Sequence, residues 1–161
     1  MHGGKIMEYK KDKRTKNLTL RDIHVGDWVQ VWSEIPERYS PPLKITQICD
    51  DGTVYPIPDD ENRCTPWEEN IKDIDALPID GDLLRGFGFE KLCGNFYYSK
   101  NGTSVMAQDN QLEVMDFFCI DKYGESASLG DIAYMHELQQ ALHEERNFIG
   151  DFNIEWKGVE K

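Results

Sequence analysis

The sequence predicts an α+β fold, in which a small β-barrel over residues 18–77 precedes a helix, a three-stranded antiparallel meander and a C-terminal helix. Short runs of alternating apolar residues, separated by turn signals, fill the first half of the chain as expected for strands. An Asn-Gly pair in the second half is typical of a two-residue hairpin turn. Apolar residues at helical spacing then occupy the last third of the chain and predict the final helix.

The first predicted strand ends at Trp32 and is preceded by the tripeptide Val25-Gly26-Asp27. A turn of this kind before a strand resembles the opening of SH3-like barrels, so the barrel is predicted to be SH3-like. A Pro-containing loop follows, since proline cannot donate to a sheet ladder. The remaining elements of the barrel are the loop Ser33 to Pro42, a strand Leu43 to Cys49, a turn 50–53, an edge strand Val54 to Ile57 and a closing strand Asn70 to Leu77.

The second half is predicted to begin with a helix from Gly81 to Phe87, because Asp80 is a good N-cap and Gly88 a good C-terminal stop. A two-residue turn at Asn101-Gly102 would pair Tyr98 with Val105 in the meander. The third strand is predicted at 112–120. Ser128 would then cap a final helix over 129–145, and the aromatic tail 148–156 would add an edge strand.

The 161 residues carry a net charge of −12, which is unevenly distributed. Residues 1–16 hold six basic and two acidic side chains, so residues 1–17 are predicted to form a basic flexible arm. Residues 50–82 hold two basic and eleven acidic side chains. We call residues 50–82 the acidic segment. It is interpreted as a solvated surface, as a docking surface for a basic protein, or as a mimic of nucleic-acid phosphates that inhibits a DNA-binding protein.

Aromatic residues in the first half predict the face on which a partner binds. Rings at strand ends or in loops are the best candidates for an exposed patch, and they lie near the acidic segment in the sequence. The sequence therefore predicts a non-enzymatic protein-binding module whose partner is a basic or host protein. The predicted binding residues are Trp32, Tyr39, Trp67, Asp59, Asp60, Glu61, Glu68 and Glu69.

No nucleotide-binding loop, zinc pattern or nucleophile motif is present, so the sequence predicts no catalytic residue, no metal and no cofactor. His136 and His143 are seven residues apart, too far for one metal on a helix, and are expected at the surface. A metal-dependent hydrolase that uses carboxylates of the acidic segment remains the alternative. The negative body also predicts no stable binding to nucleic acid, because it repels phosphates.

Four cysteines without a CxxC pair, together with the absence of a signal-peptide pattern, predict reduced thiols and a cytoplasmic location. The apolar runs are too short to span a membrane.

Four segments, taken in order, resemble a group of short proteins from Bacteroides-type genomes, prophages and mobile elements, for which no activity is established. The resemblance implies an origin in a phage or mobile element and carries over no catalytic residue. It rests on residues 20–29, 70–74, 83–91 and 134–139.

Overall fold

The computed structural model describes residues 14–58, 67–92, 94–99, 105–109, 114–120, 125–144 and 154–158. The chain divides into two compact units, Met1–Leu77 and Pro78–Lys161. The strands of the first unit are β1 (Trp28–Glu34), β2 (Glu37–Tyr39), β3 (Leu43–Ile48), β4 (Thr53–Ile57), β5 (Glu69–Asn70) and β6 (Ile74–Asp75), with a 3-10 turn at Ile71–Asp73.

Strand β1 organises the first unit because it pairs antiparallel with three others. Its start lies beside β3, its middle beside β6 and its end beside β2. All residues from Trp28 to Trp32 are buried, so both faces of this strand contribute to the core. The buried side-chain amide of Gln30 donates a hydrogen bond to the carbonyl of Ala76 over 2.9 Å, which satisfies this polar group inside the unit.

The β3–β4 hairpin confirms the predicted turn at 50–53. Gly52 has a φ of +96°, a conformation that an L side chain rarely adopts. The Asp51 carboxylate accepts a hydrogen bond from the Thr53 amide over 2.9 Å, and this bond lowers the pKa of Asp51 below its ordinary value. Local turn chemistry therefore determines this hairpin.

The predicted SH3-like barrel and α+β class are wrong. The described residues are mostly β, with two antiparallel sheets and two α-helices. The predicted closing strand 70–77 is interrupted by the 3-10 turn, which separates β5, paired with β4, from β6, paired with β1. Strands β5 and β6 have only two residues each, so their pairing with β4 and β1 is short. The described strands of the first unit do not form a closed barrel.

Two further predictions for the first unit need correction. The loop predicted at Ser33 to Pro42 contains strand β2, which forms a hairpin with the end of β1. Strand β4 is not an edge strand throughout, because its first two residues pair with β5.

The second unit contains α1 (Gly81–Gly86), β7 (Phe89–Lys91), β8 (Phe96–Ser99), β9 (Val105–Asp109), β10 (Met115–Ile120), β11 (Ser126–Ile132) and α2 (Met135–Glu144). Its sheet has the strand order β11-β10-β9-β8-β7, a meander of five strands rather than the predicted three. Helix α1 confirms the prediction, since the Asp80 carboxylate accepts from the Leu83 amide over 2.8 Å. Gly88 follows the helix with a φ of +94°.

The final helix begins six residues later than predicted, because 126–132 forms strand β11. Gly130 has a φ of +83°, which is incompatible with a helix interior, and it lies at a register shift between β10 and β11. The predicted apolar stripe is nevertheless buried in the core, at Ile132, Met135, Leu138 and Leu142. His136 is buried at 3% exposure, so the expected surface position is wrong for this histidine, while His143 is exposed as expected.

The described part of the aromatic tail, residues 154–158, packs on helix α1 and does not form the predicted edge strand. Trp156 lies edge-on to Phe87 with ring centroids 5.1 Å apart. The Lys157 amide donates to the carbonyl of Gly86 over 2.8 Å. The tail is therefore a structural part of the second unit.

Candidate functional site

A groove of about 780 Å³ lies on the first unit where the β1–β2 hairpin meets residues 67–73 of the acidic segment. We call it the aromatic groove. This volume is within the range of protein ligand sites. Its lining residues are Val31, Trp32, Ser33, Glu34, Ile35, Pro36, Arg38, Tyr39, Ser40, Pro41, Trp67, Glu69, Lys72 and Asp73.

Trp32 and Tyr39 form one part of the groove because they are directly paired across the β1–β2 ladder. Their ring centroids are 4.8 Å apart with an interplanar angle of 65°, an edge-to-face contact. Trp32 is only 5% exposed and Tyr39 is half-buried. These two rings are therefore a preformed, rigid part of the lining.

Trp67 and Ile35 supply the exposed apolar part of the groove. Trp67 is 41% exposed, and its backbone is held by a 3.0 Å hydrogen bond from its amide to the carbonyl of Pro56. Ile35, in the turn between β1 and β2, is 91% exposed. Exposed large apolar side chains that line one groove mark a binding surface more strongly than the same residues scattered singly.

A buried carboxylate at Asp75 joins the groove to the N-terminal part of the described chain. Asp75 is fully buried and forms an ion pair with the guanidinium of Arg14, which raises the pKa of Arg14 further. The same carboxylate accepts from the hydroxyl of Tyr39 over 2.7 Å and from the side-chain amide of Asn17 over 3.1 Å. Burial raises the pKa of Tyr39, so this hydroxyl keeps its proton at neutral pH.

The same contacts change the interpretation of the predicted arm. Residues 14–17 are bound to the folded unit, since the amide of Thr15 donates to the Tyr39 hydroxyl and its side chain donates to Ala76. The guanidinium of Arg14 also lies 5.8 Å from the centroid of the Trp32 ring. Arg14 therefore contacts the Trp32 ring directly and is linked to Tyr39 through Asp75, although its own side chain is partly exposed. Residues 1–13 lie outside the described residues.

The groove is lined by three acidic side chains, Glu34, Glu69 and Asp73, and by two basic ones, Arg38 and Lys72. The pKa of Glu69 is raised, first by its partial burial and then by the charge of Asp73. The negative charge of Asp73 near Glu69 favours a cation placed beside the two carboxylates.

Four of the predicted binding residues lie together in the groove. They are Trp32, Tyr39, Trp67 and Glu69. Glu68 is exposed next to them in the sequence but does not line the groove, and its charge instead raises the pKa of Tyr55. Asp59, Asp60 and Glu61 lie outside the described residues.

Sequence reasoning missed Ile35 and Pro36 in the β1–β2 turn, and Arg14 behind the rings. The turn carried a weak signal, because an isoleucine between Glu34 and Pro36 in a predicted loop has no obvious core to join. No local signal marks Arg14, since its partner Asp75 lies 61 residues away.

The described residues do not favour metal chemistry. Among them, no group of three or more His, Cys, Asp or Glu side chains is arranged to hold a metal ion. In the second unit, Asp116 and Asp131 are paired across β10 and β11, and their hydrogen bond raises the pKa of Asp116. A carboxyl pair alone is not a metal site.

Comparison of the chain with protein-family models, curated proteins and solved structures found no match. The resemblance to the mobile-element group therefore stays a prediction. In the part of the chain that the structure describes, no helix has the length and apolar character needed to cross a membrane.

Proposed function

We propose that this protein is a non-enzymatic binding module whose aromatic groove takes a basic polypeptide segment from a partner protein. The observation that supports it most strongly is the convergence of Trp32, Tyr39 and Trp67 on one groove with Glu34, Glu69 and Asp73. The free thiol of Cys49 fits our proposal of a cytoplasmic location.

The chemistry of the lining favours a cationic ligand. Lysine and arginine side chains are attracted to the faces of tryptophan and tyrosine rings, by about 0.5–1 kcal/mol at exposed sites and more where water is excluded. Their aliphatic stems can pack on Ile35 while the charged groups reach the carboxylates of Glu69 and Asp73. Arg14 over the Trp32 ring is an internal example of the same contact.

Charge also favours a basic partner at longer range. The acidic segment carries a net −9 over residues 50–82, within a chain of net charge −12. Such a field accelerates the approach of a basic protein and weakens as salt increases. We therefore expect the aromatic rings to determine the affinity for the partner. The carboxylates should determine how strongly that affinity depends on salt.

The test is selection of a displayed library of 12-residue peptides on the full chain at low salt, followed by Kd measurement of enriched peptides by fluorescence polarisation. Enriched peptides should carry net positive charge. Trp67→Ala should weaken their binding at least tenfold, because aromatic anchors commonly contribute 2 kcal/mol or more. Leu92→Ala is the matched control, since Leu92 is 42% exposed and lies in the second unit.

A charge test addresses the carboxylates separately. Glu69→Lys combined with Asp73→Lys should weaken binding and reduce its salt dependence. The control is Asp50→Lys with Glu144→Lys, which makes the same charge change at two exposed positions that do not line the groove. Selection of acidic peptides, or equal binding to the wild-type and Trp67→Ala proteins, would overturn the proposal.

A further inference from the structure

We infer that the aromatic groove has an internal ligand, the basic N-terminal segment of the same chain, residues 1–13, which competes with the partner. This inference rests on the proposed function, because it assumes that the groove takes a basic polypeptide segment. It makes the N-terminal segment an autoinhibitory element of the binding module.

The first argument is the position at which residues 1–13 join the fold. The next residue, Arg14, is bound to Asp75 and lies over the Trp32 ring. The amide of Thr15 contacts the hydroxyl of Tyr39. Trp32 and Tyr39 both line the groove. The segment therefore leaves the fold directly beside the proposed binding site.

The second argument is complementarity of charge and composition. Residues 1–13 contain four lysines and two acidic residues, a net +2. Three large apolar residues, Ile6, Met7 and Tyr9, precede the pair Lys10-Lys11. Apolar side chains next to lysines suit a groove that combines exposed Trp67 and Ile35 with acidic carboxylates.

The third argument is tethering. An extended chain spans at most about 3.3–3.6 Å per residue, so Lys10 and Lys11 are within roughly 14 Å of Arg14. A short flexible tether gives a local concentration on the order of 1 mM. A segment that binds with a Kd of about 100 μM would then occupy most of the groove and weaken an external competitor about tenfold.

Complete removal of residues 1–16 is not a clean test, because residues 14–16 belong to the folded unit through contacts of Arg14 and Thr15 with Asp75 and Ala76. The test is therefore a full-length double variant, Lys10→Glu with Lys11→Glu, which removes the cationic character of the segment. The control is Arg21→Glu with Lys157→Glu, which makes the same charge change at two exposed positions.

The probe is a fluorescein-labelled synthetic peptide of residues 1–13, titrated into each protein and followed by fluorescence polarisation. The Lys10→Glu/Lys11→Glu protein should bind this peptide about tenfold more tightly than the wild type. The control protein should not, although both double variants carry the same net charge. Adding Trp67→Ala to the Lys10→Glu/Lys11→Glu protein should abolish the gain.

The outcomes separate the two proposals. Equal binding of the peptide to the wild-type and Lys10→Glu/Lys11→Glu proteins, lost in Trp67→Ala, overturns autoinhibition and leaves the groove as a binding site. Binding to neither protein, with library peptides also failing to bind, overturns the proposed function itself. A concentration-dependent dimer of the wild type that disappears in Lys10→Glu/Lys11→Glu would place the segment in a second copy and overturn the intramolecular inference.

Discussion

At the scale of single residues, Tyr39 connects the groove to the buried core. Its ring lines the groove, while its hydroxyl donates to the fully buried Asp75 and accepts from the amide of Thr15. Tyr39→Phe keeps the ring but leaves both partners without this hydroxyl, so we expect a loss of about 1–3 kcal/mol in the free energy of unfolding. Urea denaturation of the full-length protein measures this loss.

The control for that prediction is Tyr55→Phe. Among the described residues, no hydrogen bond links the hydroxyl of Tyr55 to a buried carboxylate, so its removal should change stability by no more than about 0.5 kcal/mol. Equal effects of the two substitutions would show that the Tyr39 hydroxyl does not support the unit.

Arg14 gives a second prediction at this scale. Arg14→Met keeps much of the aliphatic stem and removes the cation from a carboxylate at zero exposure. An unpaired buried charge is costly, but Arg14 is itself 33% exposed, so we expect a loss of about 2–3 kcal/mol. The measurement is again urea denaturation, with exposed Arg21→Met as the control. A free energy of unfolding within about 0.5 kcal/mol of the wild type, as for an ordinary surface substitution, would show that the Arg14–Asp75 ion pair does not stabilise the unit.

Gly86 carries a prediction for the second unit. A Cβ at this position would overlap the ring of Trp156. Gly86→Ala should therefore displace the tail and cost about 1–3 kcal/mol in thermal or urea denaturation. In a Trp156→Ala background the same substitution should cost little, because the overlapping ring is gone. If Gly86→Ala destabilises the wild type and the Trp156→Ala protein equally, the loss does not come from overlap with the Trp156 ring.

At the scale of elements, the β8–β9 pairing shows why turn chemistry alone is insufficient. A two-residue turn at Asn101-Gly102 predicts Tyr98 opposite Val105, but the structure pairs Tyr98 with Met106 and Tyr97 with Ala107. This shift of one residue places Tyr97 with the buried Ala107 on the core face. The predicted turn at 101–102 lies outside the described residues, so this correction concerns the strand register alone. The observed register matters because a one-residue slip would reverse every side chain.

The β10–β11 pair yields a prediction on pH. Asp116 faces Asp131 across the ladder, and their hydrogen bond, with smaller contributions from burial and charge, raises the pKa of Asp116. A raised pKa in the folded state means that its contribution to stability is full below the unfolded pKa and is lost as pH rises through the folded pKa. Thermal denaturation between pH 4 and 8 should therefore show that Asp116→Asn raises the Tm most at neutral pH.

The control for the pH prediction is Asp50→Asn, an exposed carboxyl in the β3–β4 turn. Its Tm difference from the wild type should not grow between pH 4 and 8 as that of Asp116→Asn does. A Tm difference for Asp116→Asn that is constant with pH would contradict the carboxyl pair.

At the scale of the whole molecule, net charge predicts the response to nucleic acid. The chain carries −12, although residues 1–16 are basic by +4. At 150 mM salt the Debye length is about 8 Å, and the acidic body repels the phosphates of a duplex that comes within this distance. We therefore expect no mobility shift of a DNA duplex at this salt. A shift seen for the wild type and lost in Lys10→Glu/Lys11→Glu would instead identify the N-terminal segment as a contact for nucleic acid.

Residues close in sequence determined the β3–β4 turn, the Asp80-capped helix and the candidates Trp32, Tyr39, Trp67 and Glu69 that line the groove. Local hydrogen bonds leave a signal within a few residues, which is why the turn and the helix were predictable. The predicted exposure holds for Trp67 but is wrong for Trp32, which is buried. The break of the closing strand, the strand at 126–132 and the burial of Asp75 beneath Arg14 were decided by tertiary structure. Strand β6 and Asp75 depend on partners far along the chain, β1 and Arg14, whereas β11 pairs with the preceding strand β10. In each case the packing of the paired strands outweighs local preference.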